Sequence, residues 1–255
     1  MVKKIRLPAV SRFWTPLHPP SLNGKNILEI GKEDPIFADR FKGLRAKFEY
    51  KSDMLKFRVV GVTSSIAGEG KTLSCAFLAS SLALTGRHRV LLVDTDIRKA
   101  DLTRGLNLPR HPGLTEHLTG AAPLQEVIRD SHIPSLSVIP AGAEVPSPTD
   151  LLSGDPFRAF LKEIRTRYDI ILLDTPPILP VSDTINMREQ LDGFVFLFRS
   201  SYTPVEMFRQ AVDEIGEKKI LGVIINGVEP QKKKYIDKYY GYYHQRKPAA
   251  EETVA

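Results

Sequence analysis

The stretch Val59-Val60-Gly61-Val62-Thr63-Ser64-Ser65-Ile66-Ala67-Gly68-Glu69-Gly70-Lys71-Thr72 constrains this chain more than any other. A β-branched apolar run leads into a loop of small residues that closes in Gly-Lys-Thr. Leu73, Ala76, Phe77, Ala79, Leu82 and Ala83 then follow at helical spacing. Strand, glycine-containing turn and helix is the order a phosphate-binding loop requires. Glycine lets backbone N–H groups close around phosphate oxygens, and the N-terminus of the next helix favours an anion. Ala67, Gly68, Glu69, Gly70, Lys71, Thr72 and Leu73 are therefore the expected nucleotide-binding residues. Lys71 would reach the β- and γ-phosphates and the Thr72 hydroxyl would ligate Mg²⁺. The pattern ordinarily begins with glycine, where this chain has Ser65.

With 255 residues, 42% of them hydrophobic and 26% charged, the chain can bury one α/β core. A formal net charge of +6 admits an anionic partner (nucleotide, membrane surface or nucleic acid), although part of the excess lies at the two ends. The single cysteine, Cys75, rules out an intramolecular disulfide framework or a cysteine-rich metal site, and its place on the apolar helix predicts a core residue. No apolar run approaches the roughly 18 residues of a membrane helix. The basic start has no apolar stretch behind it, so the expected setting is cytoplasmic.

Residues 1–34 scatter Pro8, Pro16, Pro19, Pro20 and the only tryptophan, Trp14, without periodicity, which predicts an extended arm that could dock another protein. A helix is expected from Pro35, with Ile36, Phe37, Phe41, Leu44 and Phe48 near one face and Asp39, Lys42 and Arg45 opposite. Strands are predicted at Lys56–Thr63, 89–94, 136–140, 169–174, 194–198 and 220–225, with helices at 71–84, 157–167 and about 205–215. Continuous apolar strands alternating with helices indicate a doubly wound, mostly parallel sheet with helices on both faces. The expected domains are the arm, a P-loop domain over 35–228 and a tail over 229–255.

Ligands of such sheets sit outside the carboxyl ends of the strands. Asp94, with Asp96 beyond it, and Asp174 each end an apolar strand. Three strands would therefore deliver Lys71-Thr72, Asp94/Asp96 and Asp174 to one crevice, as phosphoryl transfer with a metal requires. Asp94-Thr95-Asp96-Ile97-Arg98, after Val90–Val93, resembles the second Walker A-type motif of the bacterial tyrosine kinases (BY-kinases). Ile171-Leu172-Leu173-Asp174-Thr175-Pro176-Pro177 resembles their Walker B motif. Leu108-Pro109, Pro112-Gly113-Leu114 and Pro148-Thr149-Asp150-Leu151-Leu152 resemble their intervening segments. The likeness covers roughly residues 35–245 and implies a deviant Walker (SIMIBI-like) P-loop NTPase fold.

The resemblance implies an ATP- and Mg²⁺-dependent tyrosine autokinase that phosphorylates a C-terminal tyrosine cluster. Of eight tyrosines, Tyr235, Tyr239, Tyr240, Tyr242 and Tyr243 lie near the end. It implies Asp96 and Asp174, with Thr72, as metal-holding residues. Asp94 is the candidate proton acceptor, its role not separated from that of Asp96, and Asn226 the candidate base contact. Asp39, Lys42 and Arg45 resemble the family's Glu-x-x-Arg-x-x-Arg ladder for ring-shaped oligomers, with Lys a point charge where Arg is a fork. A role in capsular or extracellular polysaccharide synthesis and export is implied. So are a separate membrane activator of the chain-length-regulator type, recruiting the chain to the inner membrane face, and a counteracting tyrosine phosphatase. In the tail, Lys232, Lys233, Lys234, Lys238, Arg246 and Lys247 against Asp237 leave +5, which roughly three phosphotyrosines would cancel.

Two rival readings stand beside this one. A positioning or partitioning ATPase of the ParA/MinD type has the same fold, but its signature lysine position is here Ile66, followed by Ala67 in place of glycine. A Lys/Tyr tail could also track nucleic acid through phosphates and base stacking, although no nucleic-acid partner is expected from the family likeness.

Overall fold

The computed structural model describes residues 13–15, 26–28 and 35–227. Among these, one sheet is built from β1 (Phe13–Thr15), β2 (Val59–Ser64), β3 (Val90–Asp94), β4 (Arg129–Asp130), β5 (Leu136–Ile139), β6 (Ile170–Asp174), β7 (Gly193–Arg199) and β8 (Ile220–Asn226). The helices are α1 (Pro35–Leu55), α2 (Lys71–Ala83), α3 (Asp101–Gly105), α4 (Leu114–Leu118), α5 (Leu124–Val127), α6 (Pro148–Ser153), α7 (Asp155–Arg167), α8 (Asp183–Met187) and α9 (Val205–Ile215). The strand order is β1-β8-β7-β2-β6-β3-β5-β4, parallel throughout except for β4. From β2 the chain crosses to β3 on one side, and from β6 it crosses back over β2 to β7 on the other. The ends of β2, β3 and β6 therefore flank a topological switch point.

The pleat divides the strand residues between two apolar layers. Val60, Val62, Leu92 and Leu172 pack with α1 and α2, through Phe41, Leu44, Phe48, Cys75, Leu78 and Leu82. Val59, Leu91, Val93, Ile171 and Leu173 pack with α7 and α9, through Phe157, Phe160, Ile164, Ala211 and Ile215. Both faces are covered, so the strands read as unbroken apolar runs. Gly61 serves this packing, because a Cβ there would stand 2.5 Å from the Phe194 ring.

The N-terminal segment is more engaged than its irregular sequence suggests. Phe13–Thr15 pairs in parallel with Ile224–Asn226 at the sheet edge. Ile27 and Leu28 are buried in the first layer, and the Asn26 amide donates to the Leu106 carbonyl at 2.9 Å. Such single anchors leave no period to read. The first long strand begins at Val59 rather than Lys56, because Lys56 takes a left-handed conformation (φ 57°) that closes α1.

The Asp192 carboxylate fixes how β2 enters the sheet. It accepts the Arg58 and Val59 amides, each at 2.8 Å, and both terminal nitrogens of Arg165 on α7, at 2.9 and 2.8 Å. Burial works to raise its pKa, but the Arg165 guanidinium and the two amides outweigh it and hold the carboxyl below its ordinary range. Asp192→Asn is expected to cost about 1–3 kcal/mol of stability near neutral pH. A carboxyl with a depressed folded pKa contributes fully above its unfolded pKa of about 4 and loses that contribution as pH falls through the folded value. Urea unfolding against pH checks this: the gap between wild type and variant should close in acid.

Candidate active site

The loop between β2 and α2 needs left-handed backbone at two places, Gly68 (φ 84°) and Gly70 (φ 92°). A Cβ on Gly70 would lie 2.4 Å from the Asn226 amide nitrogen, and one on Gly68 would lie 2.8 Å from the Tyr202 hydroxyl. Ser65 is not left-handed, which explains why this chain can dispense with glycine there. Gly70 caps α2, so the helix opens on Lys71 with its free N–H groups at the loop.

Lys71 is buried at the carboxyl ends of the three central strands. Its Nζ stands 3.2 Å from Asp96 Oδ2, 3.6 Å from Asp174 Oδ1 and 3.4 Å from Thr72 Oγ1. Burial opposes the charge on Lys71, but Asp174 and Asp96 outweigh it and hold the pKa above the ordinary lysine value. Asp94 and Asp174 are fully buried and are register partners across β3 and β6. Burial raises both carboxyls above the ordinary range. The charge of Asp174 adds to the effect on Asp94, while that of Lys71 restrains it at Asp174.

The three carboxylates differ in what they already hold. Asp94 Oδ2 accepts the Thr103 hydroxyl at 2.6 Å and the Thr103 amide at 2.9 Å, and Oδ1 accepts the Asp96 amide at 3.2 Å. Asp174 is more loosely held: its polar neighbours are the Lys71 ammonium, 3.6 Å from Oδ1, and the Thr72 hydroxyl. A fully buried carboxylate so loosely held, beside Asp96 and the Thr72 hydroxyl, is an all-oxygen donor set suited to a hard divalent cation. The geometry brings Lys71, Thr72, Asp94, Asp96 and Asp174 together at the carboxyl ends of the central strands.

The sequence profile of the AAA domain family matches residues 57–191. Tyrosine-protein kinase YwqD of Bacillus subtilis (strain 168) is 30% identical over 221 residues, covering 86% of this chain and 91% of that protein. The chain belongs to the bacterial tyrosine kinase family. Tyrosine-protein kinase wzc of Salmonella typhi is 27% identical over 219 residues, covering 85% of this chain but 30% of that longer protein. The kinase domain of Escherichia coli tyrosine kinase ETK matches with a TM-score of 0.73 at 25% identity, covering 82% of this chain and 83% of that one. A plasmid partition protein from Borrelia burgdorferi shares the fold at a TM-score of 0.52 and 18% identity, covering 72% of this chain and 86% of that one.

In this kinase the phosphate loop is held from a segment more than a hundred residues away. Glu69 is fully buried; it accepts the Ile66 amide at 2.8 Å and the Thr203 hydroxyl. Arg199 Nη1 donates to the Gly68 carbonyl at 2.8 Å, and the Tyr202 hydroxyl donates to the Ala67 carbonyl at 3.1 Å. The Arg199 guanidinium also lies 4.7 Å over the Tyr202 ring. Sequence reasoning missed Arg199, Tyr202 and Thr203, because no local pattern links them to the loop. Asn226, expected at a nucleotide base, has its amide on the loop backbone: Nδ2 donates to the Glu69 carbonyl at 2.9 Å and Oδ1 accepts the Gly227 amide at 2.8 Å.

On α1, Asp39 and Lys42 are exposed, while Arg45 turns inward. Its Nη1 donates to the Ser81 carbonyl at 3.1 Å near the end of α2, and its Nε lies 3.8 Å from Glu49. Tyr235, Tyr239, Tyr240, Tyr242 and Tyr243 lie outside the described residues, as does most of the N-terminal arm. No helix among the described residues is long and apolar enough to cross a membrane.

Thr203→Val removes the hydroxyl donor to a buried carboxylate. It is expected to cost about 1.5–3 kcal/mol of stability and to loosen the loop. Urea unfolding and ADP titration check this, with ADP affinity expected to fall about tenfold.

Proposed function

We propose that this kinase transfers the γ-phosphoryl group of ATP to its own tail tyrosines, in trans within an oligomer. The observation that carries the reading is the meeting of Lys71, Thr72, Asp96 and Asp174 at one switch point, in a chain whose end holds Tyr235, Tyr239, Tyr240, Tyr242 and Tyr243. The loop amides from Ala67 to Leu73 and the Lys71 ammonium bind the triphosphate. Thr72, Asp96 and Asp174 would hold Mg²⁺, which when bound supplies positive charge against the phosphates. The Lys71 ammonium then turns from the carboxylates to the phosphates.

The acceptor phenol oxygen bonds to the γ-phosphorus, the bond to the bridging β-γ oxygen breaks, and ADP leaves with that electron pair. The phenol proton passes to a carboxylate, because a group of pKa near 10 attacks slowly while protonated. Asp94 takes that role on Oδ1, which holds one long hydrogen bond and retains acceptor capacity, whereas Oδ2 is occupied by Thr103.

Exposed Asp39 and Lys42 on α1 support a ring contact between copies. Arg45 would join it by leaving Ser81 and Glu49. The family likeness further supports regulation of polysaccharide synthesis and export, recruitment by a membrane activator of the chain-length-regulator type, and reversal by a tyrosine phosphatase.

Incubation with Mg²⁺-ATP followed by phosphotyrosine mapping tests the reading. Phosphate on residues within Tyr235–Tyr243, absent from Lys71→Met, is the expected outcome. ADP release without phosphotyrosine, even with the activator's cytoplasmic segment present, would contradict it and favour a positioning ATPase.

A further inference from the structure

Three segments that the nucleotide chemistry leaves without a task meet on one buried carboxylate. Asp183 opens α8 and is fully enclosed. Arg98 donates to it twice, from Nε to Oδ2 at 2.8 Å and from Nη2 to Oδ1 at 3.0 Å. The Thr149 hydroxyl, at the start of α6, donates to Oδ1 as well, and Arg98 Nη2 lies 3.5 Å from that hydroxyl. The next residue, Thr184, donates to the Pro176 carbonyl at 2.7 Å, which also accepts the Thr63 hydroxyl at 2.9 Å from the end of β2.

Asp183-Thr184 thereby grips two loops that matter. Arg98 lies two residues beyond Asp96, and Pro176 two residues beyond Asp174. The first loop is stiff: the Lys99 and Ala100 amides return to the Asp96 carbonyl at 3.1 and 2.7 Å, and the Lys99 amide also reaches Asp96 Oδ1 at 3.2 Å. A shift of Arg98 is therefore transmitted to the Asp96 carboxylate. An aspartate in the first turn of a helix ordinarily answers its own amides and the helix dipole. Here both oxygens engage a guanidinium and a hydroxyl from two other segments. Enclosing a carboxylate is costly, and a two-pronged charged partner with a further donor is the arrangement that sustains it.

We propose that Asp183, acting through Arg98 and together with Thr184, is a positioning residue that sets the spacing between the Asp96 and Asp174 carboxylates for phosphoryl transfer. The proposal rests on reading those two carboxylates as part of the nucleotide site. It assigns a task to Arg98, Thr149 and Pro176. A carboxylate displaced by about 1 Å costs on the order of a hundredfold in rate while leaving the phosphate loop, which carries most nucleotide contacts, in place.

The test compares wild type, Arg98→Lys, Asp183→Asn and the double variant in Mg²⁺-ATP, by ADP release per folded molecule, with circular dichroism and thermal unfolding alongside. A lysine cannot make the two-pronged pair. Each single variant is expected to lose about tenfold or more in kcat, with the KM for ATP within about threefold of wild type. The double variant should be no worse than the weaker single one, because both break one link. Unchanged kcat per folded molecule, a loss confined to KM, or losses that multiply in the double variant would each overturn the proposal. If Asp183→Asn does not fold, Arg98→Lys decides, since the Arg98 side chain is 41% exposed and a lysine there keeps a positive charge beside Asp183. Because ADP is the readout, wild type that releases ADP without forming phosphotyrosine refutes the autokinase reading while the positioning comparison still stands. Wild type that releases no ADP even with the activator's cytoplasmic segment present would overturn both.

Discussion

Parallel pairing of β3 with β6 places Asp94 opposite Asp174, and the fold encloses both completely. Two carboxylates in one low-dielectric place repel, and burial alone disfavours their charge. A core selected for stability alone would not build this. Lys71, delivered by the first turn of α2, lies between Asp174 and Asp96 and offsets part of the cost. Thr103 and the Asp96 amide donate to Asp94, whereas Asp174 has only the longer ion pair with Lys71 and the neighbouring Thr72 hydroxyl. Strain of this kind belongs to sites where a ligand completes the charge balance.

Much of the remaining architecture holds those charges in place. The phosphate loop is fastened through Glu69 to Thr203 and through its carbonyls to Arg199 and Tyr202. The Asp94–Arg98 loop is fastened through Arg98 to Asp183, and the turn after Asp174 through Pro176 to Thr184 and Thr63. Each fastening joins residues from different strands or loops, so the site is held from several sides, with Asp94 and Asp174 ending strands, Lys71 and Thr72 opening a helix, and Asp96 on a loop.

This distribution explains what the sequence made legible. The loop ending in Gly70-Lys71-Thr72 and the strands ending in Asp94 and Asp174 are local patterns, each read within about a dozen residues. The doubly wound order follows from their alternation with helices. Arg199, Thr203 and Asp183 escaped notice because their meaning comes from partners far along the chain. β1, Ile27 and Leu28 escaped because isolated anchors carry no period. Arg45 was read as part of an outward ladder, and its bond to the Ser81 carbonyl depends on where α1 lies against α2, which no helical spacing encodes.

The buried charges beside Lys71 are proposed to hold a metal-bound nucleotide. A crystal structure of the protein with ADP and Mn²⁺, the metal located by its anomalous signal, tests it most directly. The expected result is an ion bonded to Thr72 Oγ1 between Asp96 and Asp174, with Lys71 turned onto the phosphates. Nucleotide bound with Lys71 still paired to both carboxylates, or an ion bound away from Thr72 and Asp174, would contradict it.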